Sequence, residues 1–213
     1  MRAGLLALVV LALAAGCGGG DAESTGGTTS GKCASVDAPE PRDPGSNDAP
    51  TTPLEEGKTY ALTFETNCGS FTLTLDTALA PNTAASLVAL VHDGYFDDTL
   101  FHRIVPGFVI QGGDPTQSGT GGPGYSTVDV PPSDAAYTKG TVAMAKSPAE
   151  APGTAGSQFF VVTADDAKLP PDYAIVGEVT DGLDAIELIG TLGDAAEQPT
   201  EPVVISSVAV TES

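Results

Sequence analysis

The sequence contains few basic residues. Its 213 residues include 8 Lys and Arg against 28 Asp and Glu, which gives a formal net charge of −20 at pH 7. These few cations are scattered along the chain rather than clustered. A protein that binds nucleic acid needs a basic patch that displaces counterions from phosphate. The composition therefore argues against a nucleic-acid partner, although acidity by itself names no function.

Histidine and cysteine are also scarce. The chain has 2 His, at His92 and His102, and 3 Cys, and they do not form a cluster with metal-ligand spacing. The glycine-rich segment 121–124 lacks the Lys and Ser or Thr that a phosphate-binding loop requires. We therefore predict neither a metal site nor a cofactor.

Long apolar runs are missing as well. The most apolar segment, from Leu5 to Ala15, is about half as long as the ~20 residues that a helix needs to cross a bilayer. It follows Arg2 and ends in small residues, which is the layout of a secretory signal. We predict that residues 1–16 are a removable signal peptide. The alternative is a buried N-terminal helix.

The end of this segment, Leu13-Ala14-Ala15-Gly16-Cys17, resembles a bacterial lipobox whose leucine lies one position earlier than usual. The resemblance implies that Cys17 becomes the lipid-bearing first residue of the mature protein. Such a protein is extracytoplasmic and is anchored to the cell membrane. The alternative is a soluble secreted protein with a cysteine near the cleavage site.

A polar stretch follows the leader. Residues 17–57 are rich in Gly, Ser, Thr, Pro and Asp and lack periodic apolar residues, so we predict a disordered linker. With Cys17 lipidated, Cys33 and Cys68 remain as a natural pair in an oxidising compartment. We expect them to form a disulfide. The alternative is two unpaired cysteines.

Residues 58–213 have the apolar pattern of one folded domain. Apolar and polar residues alternate over 60–65 and again over 71–75, and the turn signal Asn67-Cys68-Gly69 lies between them. This arrangement predicts a β-hairpin with one buried face.

Two helices interrupt the strands. The first opens at Pro81, where Asn82 or Thr83 can cap it, and ends at Gly94; the second follows Asp181. Many short apolar runs separated by glycine-rich turns make up the rest. We predict a mainly β fold, a closed antiparallel β-barrel capped by two α-helices.

A charged and an amide side chain lie among strand-like apolar residues in the segment Phe101-His102-Arg103-Ile104-Val105-Pro106-Gly107-Phe108-Val109-Ile110-Gln111-Gly112-Gly113-Asp114. Such side chains are seldom placed in this setting without a partner or a purpose. The plainest interpretation of the pattern alone is an ion pair between Arg103 and Asp114.

This segment resembles the signature of the cyclophilin family of peptidyl-prolyl cis-trans isomerases. The match continues in Val142-Ala143-Met144-Ala145, in Gly156-Ser157-Gln158-Phe159-Phe160, and in Gly177 with Val179. It covers essentially all of residues 58–213. The resemblance implies a monomeric isomerase (EC 5.2.1.8) with a cyclophilin-like barrel, which acts without a cofactor on proline-containing polypeptides.

The resemblance also assigns roles to residues. Arg103, Gln111 and Phe108 match the catalytic positions, where the arginine donates hydrogen bonds as the prolyl nitrogen loses its conjugation and the glutamine steadies it. A rigid, permanently charged guanidinium suits that task. The resemblance implies that the substrate is bound by Val109, Ala145, Lys146, Phe160, Leu169 and Tyr173. For Ala145 and Lys146 only backbone groups are expected to take part.

Three positions depart from the family pattern. Lys168 replaces a tryptophan that contacts the drug cyclosporin, so we expect weak binding of that drug. Tyr173 replaces a histidine at the boundary of the proline pocket, and Val109 replaces a larger methionine. His102 belongs to the signature, and we expect a structural role for it.

These features together predict an isomerase that assists the folding of exported or surface proteins at Xaa-Pro bonds. The alternative is a low-activity cyclophilin-like module that binds proline-containing peptides as a chaperone. Arg103, Phe108 and Gln111 favour the enzyme, whereas Lys168 and Tyr173 leave the alternative open.

Overall fold

Regular structure begins at Tyr60, in the alternating segment that predicts the first hairpin. The computed structural model describes residues 31–213, so the predicted leader and Cys17 lie outside the described residues. In chain order the elements are β1 (Tyr60–Thr66), β2 (Gly69–Leu75), α1 (Pro81–His92), β3 (Thr99–Leu100), β4 (Arg103–Val105), β5 (Val109–Gly112), β6 (Thr127–Val128), β7 (Thr141–Met144), β8 (Thr154–Ala155), β9 (Phe159–Val162), β10 (Ile175–Asp181), α2 (Leu183–Gly190) and β11 (Val204–Glu212).

The predicted β-hairpin is confirmed. β1 and β2 pair antiparallel, with Leu62 opposite Leu73 and Phe64 opposite Phe71. Because side chains alternate across a strand, all four lie on the same buried face. The rings of Phe64 and Phe71 stack with their centroids 4.6 Å apart. This cross-strand pair joins the hairpin to the centre of the hydrophobic core.

Nine of the strands form one antiparallel sheet in the order β3-β11-β1-β2-β10-β7-β9-β5-β4. Its two edge strands, β3 and β4, are consecutive in the chain, and only Phe101 and His102 lie between them. Three peptide links span at most about 11 Å, so the sheet curls strongly enough to bring its edges near each other. The mainly β architecture with two helices is confirmed. Closure of the barrel is not shown, because the strand order has two ends.

The start of α1 differs from the prediction. Its N-cap is Ala80, and neither Asn82 nor Thr83 provides the cap. Instead, the carboxylate of Asp129 accepts hydrogen bonds from the backbone N–H of Thr83 at 2.7 Å and from its hydroxyl at 2.6 Å. A carboxylate is favourable there because the first helical N–H groups carry partial positive charge. Within residues 31–213, neither helix has the length and apolar character that crossing a membrane requires.

Residues 33–57, which we call the strap, differ from the predicted disordered linker. They form no helix or strand, yet they lie along the domain. Asn47 N–H donates to the carbonyl of Pro123 at 3.2 Å, and the Gln117 side chain donates to the carbonyl of Pro39 at 2.8 Å. Leu54 packs against the hydrophobic core. The strap has no apolar periodicity because it follows the surface of the domain and builds no core of its own.

Arg42 provides the most concentrated attachment of the strap. Its guanidinium donates to the carbonyls of Gly94, Tyr95 and Asp97, which follow the C-terminus of α1. It also lies 5.9 Å from the centroid of the Tyr95 ring. A cation is favourable at this end of a helix, where carbonyl groups carry partial negative charge.

The expected disulfide is present. Cys33 and Cys68 are bonded, with their Cα atoms 4.1 Å apart. Next to the bond, the N–H of Ala34 donates to the carbonyl of Asn67 at 2.7 Å. The disulfide therefore attaches the start of the strap to the turn between β1 and β2.

Candidate functional site

A small cavity lies between three strands, β4, β5 and β9, the segment that follows β7, and the loop before β10. Its volume is about 170 Å³. Its lining consists of the nine side chains singled out above: Arg103, Phe108, Val109, Gln111, Ala145, Lys146, Phe160, Leu169 and Tyr173. The structure thus brings together residues that are up to 70 positions apart in the sequence (173 − 103 = 70). We call this cavity the proline pocket, after the ligand that the resemblance to the cyclophilin family implies for it.

The hairpin of β4 and β5 positions the polar side of the pocket. Arg103 lies directly opposite Gln111 in the antiparallel register, so both side chains point to the same face. The turn between the strands contains Gly107, whose φ of 69° is in the left-handed region that glycine adopts without strain. Phe108 follows this turn and reaches the pocket from its end.

Arg103 is held from two sides. Its Nε donates to Oε2 of Glu197 at 2.7 Å, and its Nη1 donates to Oε1 of Gln111 at 3.3 Å. The ion-pair partner is therefore Glu197, and the alternative pairing with Asp114 is wrong. A guanidinium has five N–H donors in a rigid fork, so two fixed contacts determine its orientation.

The hydrogen-bonded chain continues beyond Gln111. Its Nε2 donates to Oε1 of Gln158 at 3.0 Å, and Nε2 of Gln158 donates to the carbonyl of Gly121 at 2.9 Å. Gln158 belongs to one of the matched motifs, but the sequence alone assigns it no role. In the structure it fixes which end of the Gln111 amide faces Arg103.

The apolar side of the pocket is made by β5, β9 and the loop before β10. Val109 and Phe160 are buried, with relative exposures of 2 % and 5 %. The rings of Phe160 and Tyr173 meet nearly at right angles, with centroids 5.5 Å apart. This edge-to-face arrangement is a favourable one for aromatic pairs.

Tyr137 secures Tyr173 and was not anticipated from the sequence. Its hydroxyl donates to the carbonyl of Tyr173 at 2.7 Å and accepts from the N–H of Tyr173 at 3.1 Å. Tyr137 is itself 1 % exposed, and burial raises the pKa of its phenol. It lies in no recognised motif, so only the packed structure reveals that it fixes the backbone of the pocket wall.

Lys146 takes part with its side chain as well. Its Nζ lies 2.7 Å from Oδ2 of Asp172, donates to the carbonyl of Glu150 at 3.1 Å, and lies 5.5 Å from the centroid of the Tyr173 ring. The side chain is only 3 % exposed. The Lys146 side chain is thus fixed within the pocket wall, and the pairing of its backbone with the substrate stays a prediction. Lys146 therefore contacts Tyr173, one of the three positions that depart from the family pattern.

A larger polar groove adjoins the proline pocket and shares Gln111, Ala145 and Lys146 with it. Its volume is about 610 Å³, and one wall is the glycine-rich segment 119–124. Asp114 organises this wall, because its carboxylate accepts hydrogen bonds from the N–H groups of Thr116, Gly119 and Gly121. Burial alone would raise the pKa of Asp114, but a hydrogen bond from the Thr116 hydroxyl and the three backbone bonds outweigh it and hold the pKa below its usual range.

His102 lies beside the site without lining it. Neither ring nitrogen makes a hydrogen bond of ordinary geometry within residues 31–213. Burial lowers the pKa of this imidazole, and the nearby negative charge of Asp114 offsets it only in part. Lys168 also lies outside the pocket lining, where its ammonium pairs with Asp166. Among the described residues, no group of three or more His, Cys, Asp or Glu is arranged to hold a metal ion.

The pocket combines an apolar wall with a fixed cation. Such a site can hold a small apolar ring and offer hydrogen bonds to the groups next to it. Its nine lining residues include no serine, cysteine or histidine, so the arrangement is suited to stabilising a conformation rather than to covalent chemistry.

Comparison with known proteins places this geometry in a family. Residues 61–210 match the family model described as cyclophilin type peptidyl-prolyl cis-trans isomerase/CLD. Peptidyl-prolyl cis-trans isomerase-like 1 of Gibberella zeae is 39 % identical over 159 residues, which cover 72 % of this chain and 96 % of that protein. The probable peptidyl-prolyl cis-trans isomerase A of Mycobacterium leprae is 37 % identical over 169 residues, which cover 70 % and 90 %.

Solved structures are similar as well. A cyclophilin type peptidyl-prolyl cis-trans isomerase of Cryptosporidium parvum has a TM-score of 0.66 at 30 % identity, over 72 % of this chain and 98 % of that one. A second structure of the Cryptosporidium protein, determined in the presence of the dipeptide Ala-Pro, has a TM-score of 0.65 at 29 % identity. The strap lies outside the residues that the family model matches.

Proposed function

This chain belongs to the cyclophilin family of peptidyl-prolyl cis-trans isomerases and is itself such an isomerase, and we propose that Arg103 is its catalytic group. The observation that carries the proposal is the fixed guanidinium in the wall of an apolar cavity of about 170 Å³. The Ala-Pro dipeptide used with the similar Cryptosporidium protein supports a proline-containing ligand for this cavity.

The reaction is a rotation about the bond before proline. Resonance in the peptide C–N bond imposes a barrier of about 18–20 kcal/mol, and in the twisted state the prolyl nitrogen regains its lone pair. A donor that reaches this nitrogen stabilises the twisted state more than either planar state. Interactions of this kind lower the barrier, because they are strongest in the transition state.

The described residues divide this work among them. Arg103 donates to the prolyl nitrogen and the neighbouring carbonyl, and Gln111 holds the guanidinium in place. Phe108, Val109, Phe160, Leu169 and Tyr173 enclose the proline ring, which fixes one end of the rotating bond. Ala145 and Lys146 pair with the substrate backbone on the other side. No proton transfer is required, so the barrier falls through orientation and electrostatics alone.

A protease-coupled assay on a short Xaa-Pro peptide tests this assignment. We expect Arg103→Ala to lower kcat/KM by about 10²-fold, the range found when a transition-state donor is removed. Arg103→Lys keeps the charge without the rigid fork and is the matched control, with a smaller but clear loss expected. Thermal unfolding of each variant checks that the fold is retained.

The same assay separates the enzyme from the low-activity binding module. A parental protein that binds the peptide tightly while leaving its isomerisation rate unchanged would favour the binding module. An Arg103→Ala variant with nearly parental rates would show that the catalytic group lies elsewhere.

We place the isomerase outside the cytoplasm, anchored to the cell membrane by lipid on Cys17, where it assists exported or surface proteins. The lipobox-like segment before Cys17 supports the anchor. The Cys33–Cys68 disulfide supports an oxidising compartment. The net charge of −20 supports polypeptide rather than nucleic-acid partners, and the enzyme is proposed to act as a monomer.

Mass spectrometry of the membrane fraction tests the anchor. A mature protein that begins at Cys17 and carries a diacylglyceryl-sized addition is the expected result. A mature protein that begins elsewhere and is found wholly in the medium would rule the anchor out, and a Cys17→Ser variant is the matched control.

A further inference from the structure

The partner of Arg103 lies on a separate part of the chain. Glu197 accepts from Nε of Arg103 at 2.7 Å, which is shorter than the 3.3 Å contact from Nη1 to Gln111. With Nε engaged by Glu197 and one Nη1 hydrogen by Gln111, the remaining hydrogens of the guanidinium lie on its terminal nitrogens. These terminal donors are the ones left for a ligand in the proline pocket.

Glu197 is held firmly by the turn that contains it. Asp194 organises this turn, because its carboxylate accepts from the N–H groups of Ala196 at 2.8 Å and Gln198 at 2.9 Å. Glu197 has a φ of 64°, a left-handed conformation that few residues other than glycine adopt. The surrounding hydrogen bonds therefore determine an otherwise unfavourable backbone position.

The turn is docked directly on the strand that carries Arg103. The carbonyl of Glu197 accepts from the N–H of Ile104 at 3.0 Å. Gly193 lies so close that a Cβ at that position would come within 2.3 Å of the Ile104 carbonyl oxygen. Glu197 thus contacts β4 with both its backbone and its side chain, at neighbouring residues.

We propose that Glu197 is a positioning residue for the isomerase reaction. It orients the guanidinium of Arg103 through Nε so that the terminal N–H groups face the rotating bond. This inference rests on the proposed catalytic role of Arg103. Gln111 holds the opposite side of the same group, and the two contacts together stop the guanidinium from rotating about its long side chain.

The effect expected from this geometry is moderate. Glu197 and Arg103 have side-chain exposures of 48 % and 33 %, so solvent weakens the ion pair. We expect Glu197→Ala to lower kcat by about three- to fivefold with KM nearly unchanged, because the guanidinium acts mainly in the transition state. Glu197→Gln keeps an oxygen acceptor for Nε, so it should recover about half of the lost rate.

The substitutions are well matched to each other. At a φ of 64°, alanine and glutamine carry about the same backbone strain as glutamate, so neither variant gains or loses from the turn itself. Glu201→Ala removes the same charge from the same loop at a position outside the pocket lining, and it serves as the control for net charge. Thermal unfolding of every variant identifies any loss of folded protein.

A nuclear magnetic resonance signature separates positioning from a merely structural role. The sequence has three arginines, at positions 2, 42 and 103, and a mature protein that begins at Cys17 keeps only Arg42 and Arg103, so its Nε–H signals are few and readily assigned. We expect the Nε–H proton of Arg103 to exchange slowly with water in the parental protein. It should exchange at least severalfold faster in Glu197→Ala, while the Arg42 signal stays unchanged.

The outcomes are distinguishable. Slower turnover together with faster exchange at Arg103, and no change in Glu201→Ala, supports the inference. Parental kcat in Glu197→Ala overturns it, and so does a loss of rate with no change at the Arg103 signal. If Arg103→Ala itself retains activity, the proposed catalytic role fails, whatever Glu197 does.

Discussion

The strap and the isomerase domain, residues 58–213, are held in place by different forces. The domain is built around a continuous core of buried strands, in which Phe64, Phe71 and Leu73 are at most 2 % exposed. The strap contributes little to that core beyond Cys33 and the half-buried Leu54. It is attached instead by a disulfide, by the Arg42 guanidinium and by single backbone hydrogen bonds.

Because the two regions are attached differently, the strap should affect the stability of the protein, whereas the pocket that carries the reaction lies in the domain. The family match covers residues 61–210, and all the lining residues of the proline pocket fall within that range. The strap contacts the 114–124 loop through Pro39, Arg42 and Asn47, and no strap residue lines the proline pocket. We therefore expect changes in the strap to alter the free energy of unfolding much more than the isomerase rate.

Truncation of one core leucine should give the largest effect. Leu73→Ala is expected to lower the free energy of unfolding by about 3–5 kcal/mol, because it leaves a cavity in a closely packed sheet. The matched change in the strap, Leu54→Ala, should cost about 1 kcal/mol because the side chain is only partly buried. Urea unfolding measures both. Equal losses of unfolding free energy in the two variants would show that the strap is packed as closely as the core of the domain.

Removal of the disulfide should give the second largest loss of stability. The bond closes a loop with a sequence separation of 35 residues. The chain-entropy model gives about 3–4 kcal/mol for such a loop, and most of it should be realised because the strap is ordered in the folded protein. We expect Cys33→Ala with Cys68→Ala to lose this stability while kcat/KM changes less than about twofold.

Reduction of the parental protein by dithiothreitol is the matching control for that variant, since it breaks the same bond without changing the side chains. A large loss of isomerase rate in protein that remains folded would show that the strap also supports the site.

Replacement of Arg42 should have a smaller effect. Arg42→Ala removes three donor contacts to carbonyl groups after α1, and we expect a loss of about 1–2 kcal/mol. Arg42→Lys keeps the charge near the helix terminus but not the fork, and it should recover less than half of the loss. Thermal unfolding checks both variants, and parental stability in Arg42→Ala would show that the guanidinium contacts contribute nothing.

Protonation of His102, which lies near the strap, should have the smallest effect on the free energy of unfolding. His102 lines a surface cavity together with Ala38 of the strap, and burial lowers its pKa from the ordinary 6.5. The unfolded chain therefore takes up this proton at a higher pH than the folded protein does. Stability should be complete above about pH 6.5 and should fall as the pH decreases toward the folded-state pKa, with a slope below about 1.4 kcal/mol per pH unit.

Urea unfolding between pH 6.5 and 5.5 measures this slope. His102→Gln should flatten it, whereas the exposed His92 offers the control His92→Gln, which should leave it as in the parental protein. An unchanged slope in His102→Gln would assign the pH dependence to other groups.

Much of the domain could be predicted from local patterns. Strict alternation in β1 and β2 determined which faces are buried, because side chains alternate across any strand. The segment from Phe101 to Asp114, through its resemblance to the cyclophilin family, indicated four of the side chains that line the proline pocket, Arg103, Phe108, Val109 and Gln111. The pairing of Cys33 with Cys68 was also within reach, because the lipobox-like context left only these two cysteines to bond with each other.

The remaining features depend on residues that are far apart in the chain and carry no local signal. Asp129 caps α1 from 46 positions away, and Glu197 pairs with Arg103 from 94 positions away. The chain has 28 Asp and Glu residues, and many of them lie in polar loops. The sequence around such a residue therefore does not show whether it contacts a helix terminus or a guanidinium. The order of the strap is similar, because extended polar residues have no periodicity and become ordered only against a surface that the rest of the chain provides. Local side-chain patterns thus determined the strands, and the resemblance to the cyclophilin family indicated the pocket residues, whereas only the tertiary structure decided which distant charges hold them.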